Sequence, residues 1–229
     1  MANSHDTLVD TLTIVHAALR RGLSSIVKFS GSALDDADRA PFVDFTTRYL
    51  DFLTSHHVGE DKVLFPGLQK AFARKDSAEA NEAARSARIR EEELAPVVDL
   101  MKTMREQVAK VSKGGSPKAL GELHEAAIKL QEALIPHLDA EEKDLGGSLL
   151  KPLMSADAVG GLNDALLGYE KKNGSAKGLM LFIHSLDARE QVVLFGDLPW
   201  ILRRVIIKWI WARGYRPLLK FSYSQASAL

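Results

Sequence analysis

The chain has 229 residues, 46% of them hydrophobic and 26% charged, enough apolar content to bury a core as one helical domain or one domain with an appendage. Lys plus Arg (30) balance Asp plus Glu (30), so net charge offers no footprint for nucleic acid. The absence of cysteine excludes disulfide frameworks, thiol catalysis, zinc ribbons and iron–sulfur ligation, leaving His, Asp and Glu to hold any metal.

The opening stretch MANSHDTLVDTLTIVHAAL carries His and Asp early and lacks the basic start, apolar core and cleavage site of a secretion signal, so a cytoplasmic location is expected. Residues 7–29 place Leu8, Leu12, Val15, Leu19, Leu23 and Ile26 at steps of three and four, the period of one apolar helical face, with His16 beside it. A loop rich in Gly, Ser and Asp at 30–38 precedes a second helix over 40–64 carrying Phe42, Phe45, Tyr49, Phe52 and Leu53, which Pro66-Gly67 interrupts. A third helix is predicted over 78–112, stopped at the Lys113-Gly114-Gly115 turn. Ser116-Pro117 is a cap followed by proline in the first turn, the start of a fourth helix over 118–145 that Pro136 should kink. Four long amphipathic helices joined by short loops predict an all-α, antiparallel four-helix bundle over residues 1–150.

Beyond Gly146-Gly147 shorter helices at 156–171, 176–184 and 187–195 form an extension over 151–229, with Asp187 and Glu190 placed as a cap and its partner three residues on. The last segment, LPWILRRVIIKWIWARGYRPLLKF at 198–221, sets Trp200, Trp209, Trp211 and Tyr215 among Arg203, Arg204, Lys208, Arg213, Arg216 and Lys220, with no acid. Its amphipathic pattern is imperfect, and Lys208 and Arg213 make it too charged to span a membrane. It is expected to pack on the bundle or at a homodimer interface in preference to a membrane surface.

Two stretches repeat one pattern. HHVGEDKVLF at 56–65 and HLDAEEKDL at 137–145 both read His, then Glu at the fourth position, an acid, Lys, and Leu at the eighth. Residues four apart on a helix share a face, so His56 pairs with Glu60 and His137 with Glu141. Imidazole plus carboxylate suits iron, manganese or zinc, and a carboxylate can bridge two ions. Two such pairs on the second and fourth helices of a bundle can face one interior point, with His16 as a further donor. A solvated charged face beside a leucine stripe explains the acids and lysines but not the coincident histidines. The duplication fits a bundle made of two hairpins.

With His16 in the first helix, HHVGEDKVLFP closing the second and HLDAEEKDL closing the fourth, residues 5–150 resemble the hemerythrin family, specifically bacterial and fungal proteins with the HHE cation-binding domain. The tail around LDAREQVVLFGDLPW is similar to the helical extension of longer members. The resemblance implies an up-down-up-down bundle with a non-haem di-iron centre, in which His16 and His56 hold one iron, His137 the other, and Glu60 and Glu141 bridge. It implies a small ligand, oxygen, peroxide or nitric oxide, bound by a carrier, sensor or scavenger. Leu19, Phe52, Leu53 and Leu134 are expected to surround the centre and exclude bulk water.

Helix three departs from the family, which usually supplies a histidine there. This chain reads ARIREEELAPVVDLMKTM and has no histidine between His57 and His124. His16 is followed by leucines at plus three and plus seven, and Glu91 by Leu94 and Val98, so Glu91 is the best substitute ligand and Glu92 the next. A carboxylate favours oxidised iron over a neutral imidazole, so the site is expected to suit reversible carriage less well and to consume peroxide or oxygen, bind a single metal, or be partly disabled. His57 lies about 100° of helix rotation from His56 and is expected behind the ligands, the alternative register pairing it with Asp61. His124 is too far along the axis from His137 to join them, and His5 and His184 are expected in solvent or packing. The alternative reading is a metal-free helical protein that interacts through its basic aromatic tail.

Overall fold

The apolar steps of three and four fold into helices throughout. The computed structural model describes residues 4–114, 116–145, 147–174, 176–195 and 216–222, and among them all regular structure is helical. The four long helices are α1 (Ser4–Ser30), α2 (Asp36–Gly59), α4 (Ala78–Gly114) and α5 (Pro117–Asp144), with a short α3 (Phe65–Phe72) between the second and third. α5 begins as predicted, Ser116 accepting a hydrogen bond from the Ala119 N–H at 3.2 Å, and runs unbroken through Pro136.

Pro66-Gly67, read from sequence as an interruption, lies instead inside a continuing helical run. Proline lacks an N–H, and its ring would strike the carbonyl four residues earlier in a regular helix. Here the chain widens just before it into a π-helical turn, Glu60–Leu64, in which the Phe65 N–H reaches back five residues to the Glu60 carbonyl. Such widened turns recur at functional sites.

α4 packs most extensively on α5, α5 on α1, and α4 on α2, closing a four-helix bundle. The seam between α1 and α2 is covered by the extension: α6 (Gly147–Leu153), α7 (Ala156–Asn173), α8 (Ala176–Ser185) and α9 (Ala188–Phe195), with α7 and α8 touching both bundle helices. The predicted cap of α9 forms, Asp187 Oδ1 accepting from the N–H groups of Arg189 and Glu190 while Glu190 Oε2 accepts from the Asp187 N–H. Residues 147–153 were not foreseen as a helix; the break read at Gly146-Gly147 is followed at once by α6.

The buried apolar side chains fall into two main clusters along the bundle axis. One joins Leu19, Leu23, Phe42, Leu53, Leu94, Met104, Leu134 and Leu138. The other joins Leu8, Leu12, Leu64, Phe65, Ala83 and Leu145 to Leu150 and Leu153 of α6 and Val159, Leu162 and Leu166 of α7. The division drawn from sequence at 150/151 thus passes through α6, whose leucines share a cluster with α1. At about 1.5–3 kcal/mol for each fully buried large side chain, these clusters outweigh the polar groups held between them.

Of the tail, residues 196–215, including Trp200, Trp209, Trp211 and Tyr215, lie outside the described residues. Residues 216–222 return to the bundle: Phe221, with no exposure, sets its ring against Phe29, Phe42 and Phe45 at 4.9, 5.3 and 5.9 Å. Ser25 Oγ donates to the Phe221 carbonyl, and Lys220 pairs with Asp38.

Candidate metal centre

Between the two apolar clusters lies one polar layer. In α1 it falls between Leu12 and Leu19, in α2 and the π turn between Leu53 and Leu64, and in α5 between Leu134 and Leu145. His16, His56, His57, Glu60, His137 and Glu141 fill it, all buried, with His16, Glu60 and Glu141 at no exposure.

One ligand atom each from His16, His56, Glu60 and Glu141 lies within 4.8 Å of the others. His56 Nε2 is 2.9 Å from Glu60 Oε1, and His16 Nε2 is 3.9 Å from Glu60 and 3.6 Å from Glu141. Neither His56 Nε2 nor the Glu60 oxygens make an aligned hydrogen bond. Taking a carboxylate out of water costs several kcal/mol, and a cation among the converging oxygen and nitrogen atoms offsets that cost. The donor set, imidazole nitrogen with carboxylate oxygen, fits iron, manganese or zinc. His137 Nε2 stands 4.0 Å from Glu141 Oε2, so the two copies of the repeat are placed alike but not equally tightly.

The electrostatics follow from this crowding. Burial works against a charged His16, but the hydrogen bond to Glu142 and the carboxylates of Glu60 and Glu141 outweigh it and push the imidazole up from 6.5 to about 9. Glu60 is held well below the usual carboxylate range: burial opposes this, and the charge of His56 with the nearby His16 overcomes it. His57 is lowered to about 3, chiefly by burial, and is neutral.

His16 Nδ1 sits 3.0 Å from Glu142 Oε1, and Arg20 Nη1 donates to the same oxygen at 2.7 Å. A carboxylate at this distance accepts the Nδ1 proton, which turns Nε2 inward. That is the outer-partner arrangement typical of metal-ligating histidines. Sequence reasoning missed Glu142, although its signal was present as the acid after Glu in the repeated motif. It also missed Glu170 of α7, whose Oε2 accepts from Ser55 Oγ at 2.6 Å beside His56, and whose carboxyl is pushed up chiefly by burial.

The remaining candidates divide clearly. Glu91 lies on α4 between Ala83 of one cluster and Leu94 of the other, at the level of the layer, and its side chain lies outside the described residues. Glu92 is exposed, which removes it as an inward ligand. His57 is only 2% exposed, its ring 5.6 Å from that of His137, so it belongs to the layer rather than behind it. A single helical wheel misplaced it because α2 turns the boundary between His56 and His57, not His56 alone, toward the bundle interior, so that both rings reach the layer. His124 lies at the far end of the bundle against the Val27 carbonyl and Ser30 Oγ, as its spacing implied. Leu19, Leu53 and Leu134 line the bundle core, but Phe52 turns outward and stacks on Phe182 of α8 at 5.0 Å.

One pH dependence follows directly. His16 has a raised folded-state pKa, so in metal-free protein its contribution to stability is complete below about pH 6.5 and is lost as pH rises through about 9. The loss is at most about 3.5 kcal/mol, at roughly 1.4 kcal/mol per unit. Denaturant midpoints of chelated protein should fall between pH 6.5 and 9, and a flat profile would contradict the ion-paired layer.

A family model described as "Hemerythrin HHE cation binding domain" matches residues 7–149, more than half of the chain. No curated protein and no solved structure matches it significantly.

Proposed function

We propose, from the premise that this chain belongs to the hemerythrin HHE cation-binding family, that its buried layer holds two non-haem iron ions and that the protein acts on oxygen, peroxide or nitric oxide. His16 and His56 would hold one ion and His137 the other, with Glu60 and Glu141 as the carboxylates available to both and Glu91 a further candidate from α4. The observation that carries this reading is the pair of fully buried carboxylates from different helices converging on one imidazole. A metal-free scaffold would gain stability by replacing them with apolar side chains.

Iron held there supplies electrons and an open position for a small ligand. The chain supplies the rest. Glu142 fixes the Nδ1 proton of His16 so that Nε2 faces the layer. The clusters on either side exclude bulk water while admitting a small neutral molecule. α7 closes the flank, Leu166 and Glu170 lying over Gly59, where an added Cβ would come within 2.5 Å of Glu170 Oε1.

Protein from iron-replete cells should carry about two irons per chain and a near-ultraviolet absorption that oxygen, peroxide or nitric oxide perturbs. His56→Ala with His137→Ala should lose both. Substoichiometric metal unaffected by the pair of substitutions would overturn the reading.

A further inference from the structure

The two-ion reading leaves its second ion poorly served. With His16 and His56 given to the first, the second has one imidazole, His137, besides the shared carboxylates, and α4 has no histidine to add. The layer contains one more nitrogen donor that this assignment does not use.

His57 is 2% exposed, and neither of its ring nitrogens has a hydrogen-bond partner. A buried imidazole normally satisfies at least one nitrogen, so two orphaned nitrogens in one ring call for an explanation. Packing alone gives a poor one, because an apolar side chain of similar size would fill the same space without leaving polar atoms dry. The four rings form a file across the layer: His16 to His56 at 5.1 Å, His56 to His57 at 5.4 Å, His57 to His137 at 5.6 Å. His56 therefore faces α1 and His57 faces α5, on either side of the inward direction of α2. The His57 and His137 rings meet edge to face, with an interplanar angle of 71°, and Glu141 Oε2 lies 4.0 Å from His137 Nε2. Two imidazoles thus stand together on the side of the layer away from His16, with Glu141 Oε2 between them and His16, 4.0 Å from His137 Nε2 and 3.6 Å from His16 Nε2.

We propose that His57 is the second nitrogen ligand of the ion held by His137, so that α2 alone gives one histidine to each of two ions and no donor from α4 is required. The adjacency of His56 and His57 is then functional, not incidental. The inference rests on the two-ion reading above.

Anaerobic titration of chelator-treated protein with Co(II), followed by the visible d–d bands, separates the two claims. The native chain should take two equivalents. His57→Gln should bind the first with unchanged affinity and weaken the second more than about 100-fold, beyond the roughly 10–100-fold that loss of an outer partner gives. His56→Gln should weaken the other equivalent instead. Two equivalents bound by His57→Gln as by the native chain would overturn the inference and leave the two-ion reading standing. A native chain that accepts only one equivalent would overturn both. Should His57→Gln not fold, the native chain still decides: with Zn(II) bound, an imidazole nitrogen of His57 in 15N-histidine-labelled protein should shift to the metal-bound range, and an unshifted resonance would overturn the inference.

Discussion

Phe221→Ala is expected to destabilise the protein by about 3–5 kcal/mol, the range for deleting a fully buried phenylalanine, although the residue lies near the end of the sequence and far from the metal layer. Its ring has no exposure and fills a hole between α1 and α2 lined by Phe29, Phe42 and Phe45. Its carbonyl accepts from Ser25 Oγ, a buried hydroxyl on α1. Removing the ring leaves a cavity that three phenylalanines on packed helices cannot collapse into. Urea denaturation of the chelated protein measures the effect. A loss below about 0.5 kcal/mol, the size of an ordinary surface change, would mean that residues 216–222 do not anchor the chain end in solution. Of the basic aromatic tail, residues 216–222 pack on the bundle, and Trp200, Trp209, Trp211 and Tyr215 lie outside the described residues.

Metal loading should produce an effect of similar size in the opposite direction. The layer gathers Glu60 and Glu141 with no exposure, so the metal-free fold carries an electrostatic load that a cation removes. A ligand at about a thousand times its Kd stabilises by about 4 kcal/mol, and at about 2–4 °C per kcal/mol for a chain of this size the iron-loaded protein should melt about 8–16 °C above the chelated one. Glu60→Leu with Glu141→Leu supplies the converse. In that variant the difference between loaded and chelated samples should vanish, while the chelated form becomes more stable by about 1–4 kcal/mol, as when a buried ion cluster gives way to apolar packing. A variant that is less stable without metal and still gains from iron would contradict the account. The pair of measurements separates the cost of keeping the carboxylates from the use made of them.

Much of this was legible in the sequence because the relevant signals are short-range. The heptad-like steps of Leu8, Leu12, Leu19, Leu23 and Ile26 are a local property of α1 and survive folding unchanged. The pairs His56 with Glu60 and His137 with Glu141 depend only on helical spacing, and their repetition set them apart from a surface charge pattern. What escaped depends on neighbours distant in sequence. His57 turns inward because the bundle sets the boundary between His56 and His57 toward its interior, which brings His57 to His137 of α5. Phe52 leaves the centre because α8 covers that flank of α2 with Phe182. The π turn at Glu60–Leu64 reconciles the missing N–H of Pro66 with a helix that tertiary packing wants to continue, so the proline was read as an end. Glu142 acquires its role from His16, 126 residues away.

A dinuclear site in the polar layer can be tested by counting ions. Native mass spectrometry of the intact chain, purified from iron-replete cells and sprayed without chelator, counts ions directly. The expected dominant species is heavier than the bare chain by two irons and reverts to the bare mass in Glu60→Leu with Glu141→Leu. A dominant species with no metal, or with the same metal content in native and variant chains, would rule out a dinuclear site built on these carboxylates.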